Sequence, residues 1–205
     1  MNRGRGSPPM QTVQPRLFDA PPPSAPEGFA YRPDFLTPGE EAALAERLAA
    51  LPFEPFQFRG FEGARKVVSF GWRYDFNGGG LKRADPMPDW LAPFAARAAA
   101  FVGAPPGAIA HALLNMYAPG AGIGWHRDRP QFEDVVGISL LAPCRLRFRL
   151  REAGGFRRAQ VEVQPRSAYL LRGPARRLWE HSIAPMAALR YSITFRTFRA
   201  DVRPG

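Results

Sequence analysis

Residues 144–151, CRLRFRLR, alternate without exception, with Cys144, Leu146, Phe148 and Leu150 on one side and four arginines on the other. Successive side chains of a β-strand leave opposite faces, so this stretch asks for a strand with one buried and one wet face. It has company. Residues 135–141 form a continuous apolar run suited to a strand covered on both sides. Shorter apolar runs follow around Val161, Tyr169, Trp179 and Ile193, separated by turns such as Gly154-Gly155 and Gly173-Pro174. Many short strands from about His111 onward predict a sandwich or barrel-like roll.

The first half reads differently. Thr37-Pro38-Gly39-Glu40 is a capping box with proline at the first helical position, followed by Leu44, Leu48 and Leu51 on one stripe. A second helix is expected from Asp89 to just before Gly103. Helices first and then seven or so strands make the fold class α+β with a β core. Residues 1–28 hold seven prolines and little apolar periodicity, so a disordered tail is expected there. One domain should then occupy residues 29–205, with its core at about 105–199, because 205 residues are too few for two ordinary domains.

Composition narrows the function classes. No apolar run approaches the ~18 residues of a membrane span, and MNRGRGSPPM has no apolar stretch behind its charges, so neither a membrane protein nor a secretory leader is read. The single cysteine, Cys144, permits no internal disulfide, which suits a reducing cytoplasm, and its place in the alternation makes it a packed core thiol. Lys and Arg total 28 against 18 acids, a net charge of +10, and only Lys66 and Lys82 are lysines. Such a surface attracts polyanions, nucleic acid first among them, although a solvated basic face explains the charge as well. A cytoplasmic monomer is expected.

The three histidines are the sharpest chemical clue. His126-Arg127-Asp128 puts two metal donors at i and i+2, on one face of an extended chain, and His181 lies in a short apolar strand over residues 178–183. Two histidines and one carboxylate on one face of a metal are the donor set of non-haem Fe(II) oxygenases. A hydrogen-bonded turn histidine with an unrelated strand histidine accounts for the same residues. His111, the rival third donor, is expected to be structural.

RYSITFR, residues 190–196, shifts the balance. Alternation puts Arg190, Ser192, Thr194 and Arg196 on one face and Tyr191, Ile193 and Phe195 on the other. Arginines directed inward need anions, because an unpaired buried charge is very costly. Six residues of strand separate them by ~20 Å, and after side-chain reach about the length of a small dicarboxylate remains. LLNMYAPG, residues 113–120, begins a second polar lining in which Asn115 and Tyr117 share a face.

NMYAPGAGIGWHRD, then WEH, then RYSITFR resembles the AlkB family of 2-oxoglutarate dioxygenases, over about residues 72–198. The resemblance implies a double-stranded β-helix (jelly-roll) core, with helices flanking it on the N-terminal side and a nucleotide-lid-like region. It implies that His126, Asp128 and His181 bind Fe(II) and carry the catalysis. Arg190 and Tyr117 would meet the distal carboxylate of 2-oxoglutarate, Arg196 and Asn115 the end near the metal, and Ser192 would lie between them. The implied activity is oxidative demethylation of N-alkylated bases in DNA or RNA, a dealkylation repair reaction that consumes O₂. The same chemistry on a protein side chain or small molecule is the alternative; a non-enzymatic basic nucleic-acid-binding module and a metal-binding isomerase on a related roll stand further off.

Val68, Phe70, Trp72, Tyr74 and Phe76 make an alternating aromatic stripe ahead of the core. In the family a lid stands here, which makes Trp72 and Tyr74 the candidates to stack on a base; packing into the core is the other reading of the stripe. Two positions depart from the family pattern. Pro130 stands where nucleic-acid repair members can carry an acid, and Ser192 where asparagine is common.

Overall fold

The computed structural model describes residues 25–58, 61–75 and 80–202. The expected tail therefore lies outside the described residues up to position 24. In chain order the first elements are β1 (Phe29–Arg32), α1 (Pro38–Ala49), β2 (Glu54–Phe58), β3 (Phe61–Phe70), β4 (Trp72–Asp75) and β5 (Gly80–Arg83). A 3-10 turn at Asp89–Leu91 leads into α2 (Ala92–Val102), and then come β6 (Ile109–Tyr117), β7 (Ile123–His126), β8 (Phe132–Leu140) and β9 (Cys144–Glu152). The chain finishes with β10 (Gly155–Val163), β11 (Ala168–Leu171), the short α3 (Gly173–Arg177), β12 (Glu180–Ile183) and β13 (Arg190–Phe198).

Local chemistry sets the helix ends. Thr37 Oγ1 accepts from the Glu40 amide at 3.2 Å while Glu40 Oε2 accepts from the Thr37 amide at 2.8 Å, so the capping box forms in full. At the other end of the helical region, Gly103 closes α2 in a left-handed conformation, φ 68°. Gly173-Pro174, read above as a turn, instead opens α3.

Seven strands form one sheet in the order β1-β11-β8-β13-β6-β3-β2, and four form a second in the order β10-β9-β12-β7. This is the jelly-roll core, an antiparallel double-stranded β-helix. The larger sheet is covered on both faces. One side meets α1 and α2 through Leu44, Leu48, Ala98, Leu114, Ile138, Ile193 and Phe195, and the other meets the small sheet through Val135, Leu146, Phe148, Tyr169 and Ile183. Each of these Leu, Ile, Val and Phe side chains, once fully buried, contributes on the order of 1.5–3 kcal/mol. Double coverage explains why β8 is buried without a break from Val135 to Leu140 and why eight of the nine residues of β13 are buried. Leu141, at the end of the predicted run, falls just outside β8 with a left-handed φ of 71° and is exposed.

Strands also precede the core, where the sequence reading placed helices and an aromatic stripe. β2 and β3 extend the large sheet beside β6, and β4 pairs with β5. The stripe is divided by Gly71, which turns the chain. Val68 and Phe70 pack on the helix side of the large sheet, whereas Trp72 starts β4.

Candidate active site

Between the two sheets lies an open cavity of about 1170 Å³. Its floor is built by alternation. In β13, Tyr191, Ile193 and Phe195 pack toward the helices, so Arg190, Ser192, Thr194 and Arg196 turn the other way, toward the small sheet. Antiparallel pairing then aligns β6 with them: Arg190 faces Tyr117, Ser192 faces Asn115 and Arg196 faces His111.

The small sheet supplies the remaining groups. His126 ends β7 and His181 lies in β12, and the two are direct cross-strand partners with ring centroids 4.3 Å apart. Their approach depends on Gly122, where a Cβ would stand 2.7 Å from the Ile183 carbonyl oxygen. His126 Nδ1 lies 2.9 Å from the Gly124 carbonyl oxygen, which favours a proton there and a lone pair on Nε2. Asp128 follows on the loop after β7. Its Oδ1 accepts from Arg196 Nε at 3.1 Å and Nη2 at 2.7 Å, and its Oδ2 stands 3.6 Å from His181 Nε2. The loop that follows is clamped by Arg176, whose Nη2 donates to the carbonyl oxygens of Arg129 and Phe132.

Electrostatics holds all three groups in their metal-binding protonation states. Burial alone would raise the Asp128 pKa, but Arg196, His181 and His126 outweigh it and hold the carboxyl well below its usual range. Burial and then His126 push His181 down to about 3, and burial also lowers His126. At neutral pH the set is therefore two neutral imidazoles and a carboxylate. Among the described residues these groups do not form a finished three-donor cage; Arg196 holds one Asp128 oxygen and His181 Nε2 faces the other. In donor type, charge and proximity the residues fit divalent iron.

Past the far end of the floor, off the cavity wall, Arg190 is 0% exposed. Its Nε donates to Ser139 Oγ at 3.1 Å, and its two terminal nitrogens are buried with no partner among the described residues. A buried guanidinium fork with nothing on it fits a carboxylate. The Tyr117 ring lies 5.2 Å from that guanidinium. Between the ends, Asn115 Nδ2 reaches Ser192 Oγ at 3.4 Å and Thr194 Oγ1 at 3.5 Å. Asn115, Tyr117, Ser192 and Arg196 thus line the cavity floor, and Arg190 lies buried beyond its end, beside Tyr117 and off the cavity wall.

Other predicted residues go elsewhere. His111 stacks on Phe132 at 5.0 Å and meets Arg196 Nη1 through Nδ1 at 3.1 Å, beside the arginine and not beside the other histidines. Trp72 packs edge-on against Phe198 at 5.8 Å, and in this part of the chain the cavity wall is made by Arg73, Arg83, Ala84 and Asp85. Tyr74 belongs to β4, but its side chain lies outside the described residues, as does all of Phe76.

Three lining residues escaped the sequence reading. Arg65, buried in β3, stacks 3.9 Å from the Phe56 ring centroid and donates to Asn115 Oδ1 at 2.5 Å. Tyr169 lies across Gly137, where a Cβ would sit 2.2 Å from the ring, and burial keeps its hydroxyl protonated. Trp125 adjoins His126 on the cavity wall. Gly137 in the middle of an apolar strand was the available signal for the second, because such a glycine marks a close approach.

A model of the 2OG-Fe(II) oxygenase superfamily matches residues 28–196. The chain belongs to that superfamily. It is thus a 2-oxoglutarate-dependent dioxygenase, whose cofactors are Fe(II) and 2-oxoglutarate with O₂ as co-substrate. This oxygenase is AlkB-like by its relatives. It is 27% identical over 169 residues to the tRNA (carboxymethyluridine(34)-5-O)-methyltransferase alkbh8 of Xenopus tropicalis, covering 80% of this chain and 26% of that one. It is 28% identical over 180 residues to the alkylated DNA repair protein ALKBH8 homolog of Arabidopsis thaliana, covering 76% and 50%. With the probable RNA/DNA demethylase ALKBH6 of Danio rerio it shares 33% over 118 residues, covering 55% and 45%. The oxygenase chain spans from about a quarter to half the length of these curated relatives. In fold it matches OsALKBH1 with a TM-score of 0.64 at 16% identity, covering 83% of this chain and 98% of that one. A Pseudomonas putida prolyl-4-hydroxylase gives 0.56 at 18%, covering 84% and 94%.

Proposed function

We propose that this oxygenase removes alkyl groups from N-alkylated bases in DNA or RNA. The observation that carries the reading is a His-Asp-His set on the cavity together with a buried arginine past the other end of its floor, whose terminal nitrogens have no partner among the described residues. In this reading His126, Asp128 and His181 hold the iron. Arg190 and Tyr117 take the distal carboxylate of 2-oxoglutarate, and Arg196 and Asn115 the end near the metal, with Ser192 between. Bound together, iron and 2-oxoglutarate supply oxidation of a C–H bond by O₂; hydroxylation of an N-methyl group releases formaldehyde.

The chain's own residues orient and exclude. Arg196 keeps Asp128 ionised and fixes the carboxylate in place, while the Gly124 carbonyl sets the tautomer of His126. Relatives described as a DNA repair protein and as a probable RNA/DNA demethylase support the nucleic-acid substrate, as does the net charge of +10. Placement in the cytoplasm as a monomer, a part in DNA repair, and one dioxygenase domain over 29–205 behind a Pro-rich tail belong to the same proposal.

The test is anaerobic Fe(II) loading followed by O₂, 2-oxoglutarate and a panel of N-methylated oligonucleotides. Mass spectrometry follows methyl loss, formaldehyde and succinate are assayed beside it, and His126→Ala is the control. Methyl loss confined to the wild type is expected. Succinate without methyl loss moves the chemistry to a protein side chain or small molecule, and neither product with iron verified overturns the reading.

A further inference from the structure

The outer face of the small sheet carries an arginine–aromatic ladder that the proposed chemistry does not use. Arg145, Arg147, Arg149 and Arg151 leave β9 on the side opposite Leu146 and Phe148, which point into the core. Register sets Phe156 beside Arg151 and Arg158 beside Arg149 on β10, and Ser182 and Glu180 beside Arg147 and Arg149 on β12. Trp125 joins the ladder from β7. Guanidinium and ring interleave across the strands: Arg147 and Arg149 lie 5.2 and 4.7 Å from the Trp125 centroid. Arg149, Arg151 and Arg158 lie 4.7, 5.7 and 5.9 Å from that of Phe156.

This face differs from scattered surface charge in three ways. Nε of Arg149 is held by Glu180 Oε2 at 2.6 Å and Nε of Arg147 by Ser182 Oγ at 3.1 Å. Those bonds and the rings fix the guanidinium planes and leave the terminal nitrogens as donors to a phosphate, so less side-chain entropy is lost on binding. Second, among the described residues five arginines on the face meet two acids, Glu162 and Glu180. Third, Trp125 also lines the cavity that holds His126, so the ladder starts at the mouth of the site and runs outward over four strands, about 14 Å.

We propose that this face is a docking track for a single strand of nucleic acid. Phosphates pair with Arg145, Arg151 and Arg158 and with the forks of Arg147 and Arg149, while bases stack on the Trp125 and Phe156 rings or the guanidinium planes over them. A duplex hides its base faces and cannot use the rings, which makes single strand the preferred form. The track shares its class of partner with the proposed function, yet it is tested apart from the chemistry.

Fluorescence anisotropy with an unmodified 12-nucleotide strand, its duplex and polyglutamate, over a salt series, tests it. The variant is Arg145→Gln/Arg151→Gln/Arg158→Gln; Arg32→Gln/Arg47→Gln/Arg199→Gln, on exposed positions away from this face, removes the same three charges and controls for net charge. Each phosphate contact on a single strand adds about 0.7 to the salt slope, so losing three should lower it by about 2 and weaken binding at least tenfold. The control should shift binding less than threefold, and 2-oxoglutarate turnover should stay at the wild-type level in both. Equal losses in variant and control, duplex or polyglutamate bound as tightly as single strand, or no binding by the wild type each overturn the track. Strand binding lost in the variant, from a protein that removes no methyl group, supports the track and sinks the demethylase reading alone. Methyl loss with strand binding untouched in the variant sinks the track alone.

Discussion

Replacing Arg190 with methionine should move two measurements in opposite directions. The guanidinium is fully buried, bonds Ser139 Oγ through Nε at 3.1 Å, and leaves both terminal nitrogens without a partner among the described residues. Without ligand this is a costly arrangement, since the cation has lost its water and gained no counter-charge there. Exchanging buried ionic groups for packed apolar ones typically stabilises by about 1–4 kcal/mol, and the lost hydrogen bond takes back roughly 1. A net gain on the order of 2 kcal/mol raises the melting midpoint by roughly 4–8 °C at this chain length. With 2-oxoglutarate the sign reverses. Loss of a bidentate charge pair costs about 2–5 kcal/mol, or roughly 30-fold and upward in Kd. At a concentration 100 times the wild-type Kd, with Mn(II) in place of iron, the ligand stabilises the wild type by about 2.7 kcal/mol. The variant should gain under about 1 kcal/mol under the same conditions. Differential scanning fluorimetry with and without 2-oxoglutarate reads both effects. A variant that melts lower than wild type alone and keeps the full ligand shift would refute the reasoning, leaving Arg190 an ordinary structural arginine.

Three further outcomes are expected. His111, His126 and His181 all have lowered pKa values, burial being the first cause and His181 reaching about 3. The unfolded chain therefore binds more protons below about pH 6.5, so stability is complete above that pH and falls as pH drops toward the folded values. Urea midpoints should decline from pH 7.5 to 5, and His111→Gln should flatten the decline by up to about 1.4 kcal/mol per pH unit. Gly137→Ala drives a Cβ to within 2.2 Å of the Tyr169 ring. It should cost about 3 kcal/mol in urea unfolding, and Tyr169→Leu in the same chain should recover part of that; no recovery would disprove the clash. Arg176→Lys loses the donor shared by the carbonyls of Arg129 and Phe132. Loosening of the loop behind Asp128 should weaken Co(II) binding about 10- to 100-fold in a spectroscopic titration, with far-UV circular dichroism unchanged.

Local patterns were legible because their physics is local. The capping box at Thr37, the glycine stop at Gly103 and the amphipathic β9 each depend on residues a few positions apart and appear where the sequence puts them. The apolar run at 135–141 becomes a β8 that starts at Phe132 and leaves Leu141 out. Alternation likewise told which side chains of residues 190–196 share a face. The strands of the first half were less legible. β2 and β3 have no strong periodicity of their own and are strands because β6 offers an edge to pair with.

By itself the sequence determined the class of elements, the faces of the core strands and a set of candidate donors. Only the tertiary structure decided which of those groups meet. It set His181 directly across from His126, gave His111 to Arg196, brought Arg65 from β3 onto Asn115, and put Trp72 on Phe198 instead of on the cavity wall. Periodicity says which way a side chain points along its own strand. What it points at depends on strand order and register across segments 50 to 85 residues apart, and those are settled by how two sheets and two helices pack together.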